Sequence, residues 1–222
     1  MSELARVHRQ LVRTDFLVFF ERCFATVNPS LPFQDGWHLR VIADALRRVD
    51  DGEIRNLIVT QPPRTGKSLM VSVAYTAWRL GRDPSTRIIC VSSEARLVQL
   101  LAASFRAVVE SDWYRRAFPS FRIDRRGNRA TETVTTARGF RYGVSLRGSI
   151  LGRGADLLVA DDAMSADAAF SQAVRRRELE MWATKFPSRL DDKSRGATIV
   201  VGQRLHQGDL VGHLTREPED DP

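Results

Sequence analysis

The sequence predicts an α/β fold, a mainly parallel central sheet flanked by helices, and three observations predict it. Short apolar, β-branched runs alternate along the chain with stretches of helical periodicity. The runs are bounded by turn signals such as "GRDPST". Several end in polar or charged residues, as expected of a parallel sheet that collects its active groups at the C-terminal ends of its strands.

Residues 4–27, "LARVHRQLVRTDFLVFFERCFATV", place Leu4, Val7, Leu11, Val18 and Phe19 at mostly helical spacing until "NPSLP" stops the run. Residues 1–30 are therefore expected to form an N-terminal helical appendage outside the core that follows. "WHLRVIADALRRV" is a second amphipathic helix, with Leu39, Ile42, Ala43 and Leu46 on one side and "DDG" ending it. A strand over 57–61 runs into a polar loop and then a helix from about 67 to 80. "RIICVSS" (87–93) is a second buried strand, and "EARLVQLLAASFRAVVES" is helical by periodicity. "TETVTTARGFRYGVSLRG" alternates around a glycine turn, which predicts a hairpin or two short strands. "DLLVADD" and "GATIVVGQR" are the third and fourth buried strands, separated by the helical "SQAVRRRELEMWATKF". The last residues, 216–222, are acidic and proline-bearing and read as a linker or disordered tail, leaving 31–215 as the main domain.

With 222 residues, 43% hydrophobic and 27% charged, the composition is that of an ordinary globular domain. No apolar run is long enough to cross a bilayer and the N-terminus is unlike a secretory leader, so a cytosolic chain with no membrane partner is expected. Cys23 and Cys90 lack the paired spacing of a zinc site or disulfide framework and read as buried thiols. The net charge of +7 permits an anionic polymer as partner without requiring one. Of the 34 basic residues only Lys67, Lys185 and Lys193 are lysines. Arginine suits bidentate phosphate contacts, but an even spread of it is equally the mark of arginine-rich codon usage.

The chemistry is concentrated in "LIVTQPPRTGKSLM". A strand, a tight loop ending in Gly-Lys-Ser and a helix start make a phosphate cradle of the Walker A, or P-loop, kind: Gln61, Pro62, Pro63, Arg64, Thr65, Gly66, Lys67, Ser68 and Leu69. Main-chain N–H groups would wrap the phosphates of ATP, Lys67 would reach the β- and γ-phosphates, and Ser68 would ligate Mg2+. Gln61 stands where such loops usually carry their first glycine. Pro62 and Pro63 fix φ and can pre-form the loop, and Arg64 would point at the phosphates or at a neighbouring acidic strand, or stand as a surface arginine on a loop.

"LLVADD" fits the companion Walker B strand, with Asp161 holding Mg2+ and Asp162 acting as general base, unless the two aspartates simply cap the helix that follows. The separation from Lys67 leaves room for the 87–93 strand between the two motif strands, which suits the additional-strand class of P-loop NTPases. Arg147 and Arg153, in a glycine-rich loop, are candidate arginine fingers, solvated arginines or DNA contacts. Gln203 and Arg204 stand where a γ-phosphate sensor would sit. Phe33, Gln34, Trp37 and His38 could stack on or hydrogen-bond adenine, or simply begin a helix. His206, Asp209 and His213 are near one another, but at no recognised zinc spacing.

Taken together, "IRNLIVTQPPRTGKS", "GRGADLLVADDAMS" and "VGQRLHQGDLVGHL" resemble the large terminase subunit of tailed bacteriophages, from about Phe33 to Leu214. The resembling loop is "PPRxGKS", so Gln61 matches a family trait. The resemblance implies an ATPase that drives double-stranded DNA into a procapsid within an infected bacterium. It implies a homo-oligomeric ring, usually a pentamer, on the portal protein, with a small terminase subunit as partner and a monomer in isolation. Many relatives have Asp-Glu where this chain has Asp161-Asp162. The resembling proteins also carry a C-terminal nuclease for which 222 residues leave no room, so an excised ATPase domain, a natural fragment or a split subunit without nuclease activity is expected. Outside this reading stand a helicase-like nucleic-acid-stimulated ATPase and a nucleotide-binding assembly module nearly inert alone.

Overall fold

The computed structural model describes residues 3–124, 126–150 and 152–216, with side chains from residue 6 onward. The tail expected from residue 216 lies, from 217 on, outside the described residues, as does the Leu4 side chain.

Six strands form one sheet: β1 (Asn56–Thr60), β2 (Arg87–Ser92), β3 (Glu132–Val134), β4 (Phe140–Ser145), β5 (Leu157–Asp161) and β6 (Ala197–Gly202). Their order is β1-β6-β5-β2-β4-β3, parallel except for β3, which pairs antiparallel with β4. The expected hairpin is thus present, and its second strand continues the parallel sheet beside β2. The sequence reading of the strand order is corrected. The strand between β1 and β5 is β6, whereas β2 lies on the far side of β5. The additional-strand architecture holds, but it is the last strand in the chain that fills the gap.

The helices are α1 (Glu3–Thr14), α2 (Phe16–Val27), α3 (Trp37–Asp50), α4 (Thr76–Arg82), α5 (Ala95–Val109), α6 (Asp112–Ala117), α7 (Ala166–Phe170), α8 (Gln172–Lys185) and α9 (Leu210–Leu214). No helix among the described residues is long and apolar enough to cross a membrane. Strand side chains alternate between two cores, as the two-residue period requires. Ile88, Cys90, Leu157 and Val159 face the core built with α2, α3 and α5. Ile89, Val91, Leu158 and Ala160 face the core built with α7 and α8.

The leading segment departs from the single helix expected. Asp15 accepts from the N–H groups of Leu17 and Val18, capping α2 and breaking the run in two. Val7 and Leu11 are exposed, and α2 is far from peripheral: Phe16, Phe19, Phe20 and Cys23 are buried in the first core. Phe19 meets the rings of Phe16, Trp113, Tyr114 and Phe118 at centroid separations of 5.5–6.4 Å. Both cysteines are free and buried, and burial pushes both thiols up.

Because Phe19 is fully buried, Phe19→Ala is expected to cost about 3–5 kcal/mol in urea unfolding. A near-neutral effect would mean that α2 is an appendage after all.

Candidate functional site

The loop 61–68 leaves β1 under control of the sheet. Gln61 donates its N–H to the Gly202 carbonyl at 3.0 Å, continuing the β1–β6 register by one residue. This is ordinary extended pairing, which needs no glycine. The left-handed backbone comes later, at Arg64 (φ 65°) and Gly66 (φ 82°). A non-glycine residue there costs roughly 1–2 kcal/mol, so Arg64 is held in strain that a glycine would avoid. Thr65 Oγ1 donates to the Pro62 carbonyl at 3.0 Å, closing the loop on itself. Lys67 is buried, while Arg64, Pro62 and Pro63 are exposed.

The helix after the loop is continuous from residue 67 to 82, but Leu69–Tyr75 is a π-helical stretch. Leu69 rests against the first core. Below the helix start lies Asp161, 1% exposed. Ser68 Oγ donates to Asp161 Oδ1 at 2.9 Å and Ser72 Oγ donates to Oδ2 at 2.5 Å. Burial pushes the Asp161 carboxyl up to about 6, opposed by the Ser72 hydrogen bond and aided by the Asp162 charge. Ser68 and Asp161 offer only oxygen, the donor set of a hard cation such as Mg2+, with Ser72 bonded to Asp161 behind them, and such a cation would add positive charge beside this buried carboxylate. The residues present therefore fit Mg2+.

Asp162 turns away from its neighbour with φ 42°. Its N–H donates to the Val201 carbonyl at 2.9 Å and its carbonyl accepts from Ser93 N–H at 3.1 Å, so β6 and the end of β2 hold the twist. Its carboxylate lies 3.9 Å from Lys67 Nζ. A Cβ on Gly202 would stand 3.0 Å from Asp162 Oδ1, so the glycine leaves room for that carboxylate. Gln203 follows directly, half-buried at the end of β6.

Other candidates are placed elsewhere. Arg153 forms a two-pronged pair with Glu132, at 2.5 and 3.1 Å, and its guanidinium lies 4.2 Å from the centre of the Tyr142 ring. Arg147 donates to Glu178 at 3.0 Å from a side chain that is 64% exposed. In this geometry both guanidiniums serve ion pairs within the fold. Trp37 is 76% exposed and stands edge-on to His38. Phe33 packs on Phe20 and Phe24, and Phe20 in turn lies 3.8 Å from where a Cβ on Gly66 would be. The segment before α3 thus supports the loop through Phe33. Asp209 caps α9, accepts from Leu205 and His206 N–H, and pairs with Arg204. Among the described residues no cluster of three or more His, Cys, Asp or Glu side chains is placed to hold a metal.

Sequence reasoning did not single out Ser72 and Gly202, which meet Asp161 and Asp162, or Arg141, which donates to the Ser72 carbonyl. Ser72 carried a usable signal, a lone hydroxyl four residues after Ser68 in an apolar run. Gly202 and Arg141 carried none, because their neighbours come from segments distant in the chain.

No protein-family model and no curated protein matches this sequence. Solved structures match in fold. The crystal structure of the HK97 bacteriophage large terminase has a TM-score of 0.58 and 13% identity, over 87% of this chain and 40% of that one. A mutant of the Thermus phage P74-26 large terminase ATPase domain has a TM-score of 0.51 and 14% identity, over 82% of this chain and 68% of that one. At these identities the likeness is one of fold: a six-stranded, mostly parallel sheet flanked by helices. The chain spans 40% of the length of the HK97 protein.

Two outcomes follow from this geometry. Because the raised Asp161 carboxyl favours folding in its protonated form, its contribution is full below about pH 4 and is lost as pH rises through about 6. Asp161→Asn in EDTA at pH 8 is therefore expected to gain roughly 1–3 kcal/mol in thermal unfolding, with the gain vanishing near pH 4; a loss at pH 8 would show the charge to be well compensated. Arg64→Gly removes the strain at φ 65°, and is expected to leave stability within about 1 kcal/mol of the parent as the guanidinium is lost.

Proposed function

We propose that this chain is the ATPase domain of a tailed-bacteriophage large terminase, hydrolysing ATP to drive double-stranded DNA into a procapsid. The observation that carries the reading is the convergence of Lys67, Ser68, Asp161 and Asp162 at one end of the sheet, with Ser68 on Asp161 and Lys67 facing Asp162. The fold shared with the HK97 large terminase supports it.

In this reading the loop 61–69 encloses the ATP phosphates and the main-chain N–H groups of 64–69 hold them, since Pro62 and Pro63 have no N–H and that of Gln61 is bonded to Gly202. Lys67 neutralises the β- and γ-phosphates. Ser68 and Asp161 would hold Mg2+, which would offset charge on the phosphate oxygens. Asp162 orients a water and takes its proton as the water oxygen bonds to the γ-phosphorus and the bond to the β–γ bridging oxygen breaks, releasing ADP and phosphate. The left-handed turn aims this carboxylate at Lys67 rather than into the sheet. Gln203, one residue beyond Gly202, senses the γ-phosphate. Trp37 and His38 hold the adenine. Arg64 is the arginine within the loop itself, so it is the finger in cis, whereas Arg147 or Arg153 would have to leave Glu178 or Glu132 to act on a neighbour's nucleotide. Portal protein, small terminase subunit and a homo-oligomeric, pentameric ring in the cytoplasm of the infected host complete the reading.

A second reading, a nucleotide-binding assembly module nearly inert alone, is favoured by those same two ion pairs, which occupy Arg147 and Arg153, the two arginines that would act on a neighbour's nucleotide.

ATP turnover measured across protein concentrations, with and without double-stranded DNA, tests both. Turnover is expected, abolished by Lys67→Ala and slowed about 10²–10⁴-fold by Asp162→Asn with nucleotide still bound. A rate per subunit that climbs with concentration would place the finger on a neighbour, a flat rate would place it in cis at Arg64, and no rate above Lys67→Ala would favour the assembly module.

A further inference from the structure

A buried arginine stands behind the site. Arg141 on β4 is 2% exposed, and its guanidinium lies 5.0 Å from the centre of the Phe105 ring on α5. Its Nε and Nη2 both donate to the main-chain carbonyl of Ser72, at 3.3 and 3.1 Å. That carbonyl also accepts from Thr76 Oγ1 at 2.9 Å. Ser72 lies within the π-helical stretch, and the Thr76 N–H donates to Val73 rather than to Ser72. Side-chain donors seated on a helical carbonyl compete with the amide ladder, and their insertion is one of the identifiable causes of an opened turn. The same residue carries the hydroxyl bonded to Asp161 Oδ2 at 2.5 Å.

We infer that Arg141 and Ser72 are positioning residues of the site: Arg141 fixes the wide turn through the Ser72 carbonyl, and the turn delivers the Ser72 hydroxyl to Asp161, orienting its carboxylate for the cation. Three points support a role beyond packing. Burying a guanidinium is costly unless it is well bonded, and this one spends two donors on a single carbonyl. Ser72 holds one oxygen of Asp161 and Ser68 the other, so the carboxylate plane is set from two helical positions. The strand that carries Arg141 is separated from β5 by β2, so the helix side is the route by which it reaches the acidic strand. Partners one shell out from a metal ligand commonly tune metal affinity by about 10- to 100-fold.

The inference rests on the nucleotide reading, and its test separates the two. A fluorescent ADP analogue is titrated in EDTA and again in Mg2+ for the parent chain, Ser72→Ala, Arg141→Gln, the double variant and Lys67→Ala, with circular dichroism as the check on folding. The parent is expected to bind more tightly in Mg2+. Ser72→Ala and Arg141→Gln are each expected to lose about 10-fold or more of that Mg2+ enhancement while keeping the EDTA affinity. The double variant should lose no more than Ser72→Ala alone, because Arg141 acts through Ser72. An unchanged Mg2+ enhancement in folded Ser72→Ala overturns the inference, as do losses that add in the double variant. If Arg141→Gln does not fold, Arg141→Lys replaces it: it keeps a donor for the Ser72 carbonyl and should restore part of the enhancement, and failure to do so in a folded protein counts against the route. Parent protein that binds no nucleotide, indistinguishable from Lys67→Ala, overturns the nucleotide reading and this inference with it.

Discussion

A carboxylate that folding removes from water must find donors or a cation, and Asp161 is the place where this chain meets that requirement. Two hydroxyls from the helix above, Ser68 and Ser72, reach its two oxygens. Neither carries a charge, and the carboxyl stays raised to about 6. The helix start, its wide turn and the edge of β5 are all arranged around this one group. An acid left with that imbalance has the oxygen-only surroundings that the proposed Mg2+ would suit.

The neighbouring carboxylate is handled differently. Asp162 is one residue further on, yet its backbone enters the left-handed region and its side chain faces Lys67. Hydrogen bonds from β6 and β2 hold that conformation, and the missing side chain of Gly202 gives it room. Two adjacent acids thereby acquire separate environments, one buried under hydroxyls and one beside a lysine, which is the arrangement that lets like residues do unlike work. Arg64 is the other non-glycine residue of the site with a positive φ, so strain lies on both sides of the space between loop and strand.

Several of the arginines have a local use. Arg153 on Glu132, Arg147 on Glu178, and Arg87 on Asp156 and Asp191 tie loops and strand ends together. Arg141 ties β4 to the helix above the site. An arginine count alone says little about nucleic acid when so many guanidiniums have partners within the fold.

The alternation of apolar runs and helical periodicity determined the fold class, because strand and helix periods are local properties of a sequence. The loop from Gln61 to Ser68 and the Asp161-Asp162 pair were legible for the same reason: each lies at the end of an apolar run. Pairing partners were not legible. Parallel strands are joined through long crossovers, so nothing local states that β6 rather than β2 lies beside β1. The aromatic face of α2 likewise acquired its place in the core only when Trp113, Tyr114 and Phe118 closed over it. Ser72 and Arg141 meet across 69 positions, and that contact exists because a turn, a strand and a buried acid share one volume. The sequence by itself determined which residues are candidates for the chemistry. Tertiary structure decided which of them face one another, since side-chain hydrogen bonds between distant segments are set by packing and not by spacing along the chain.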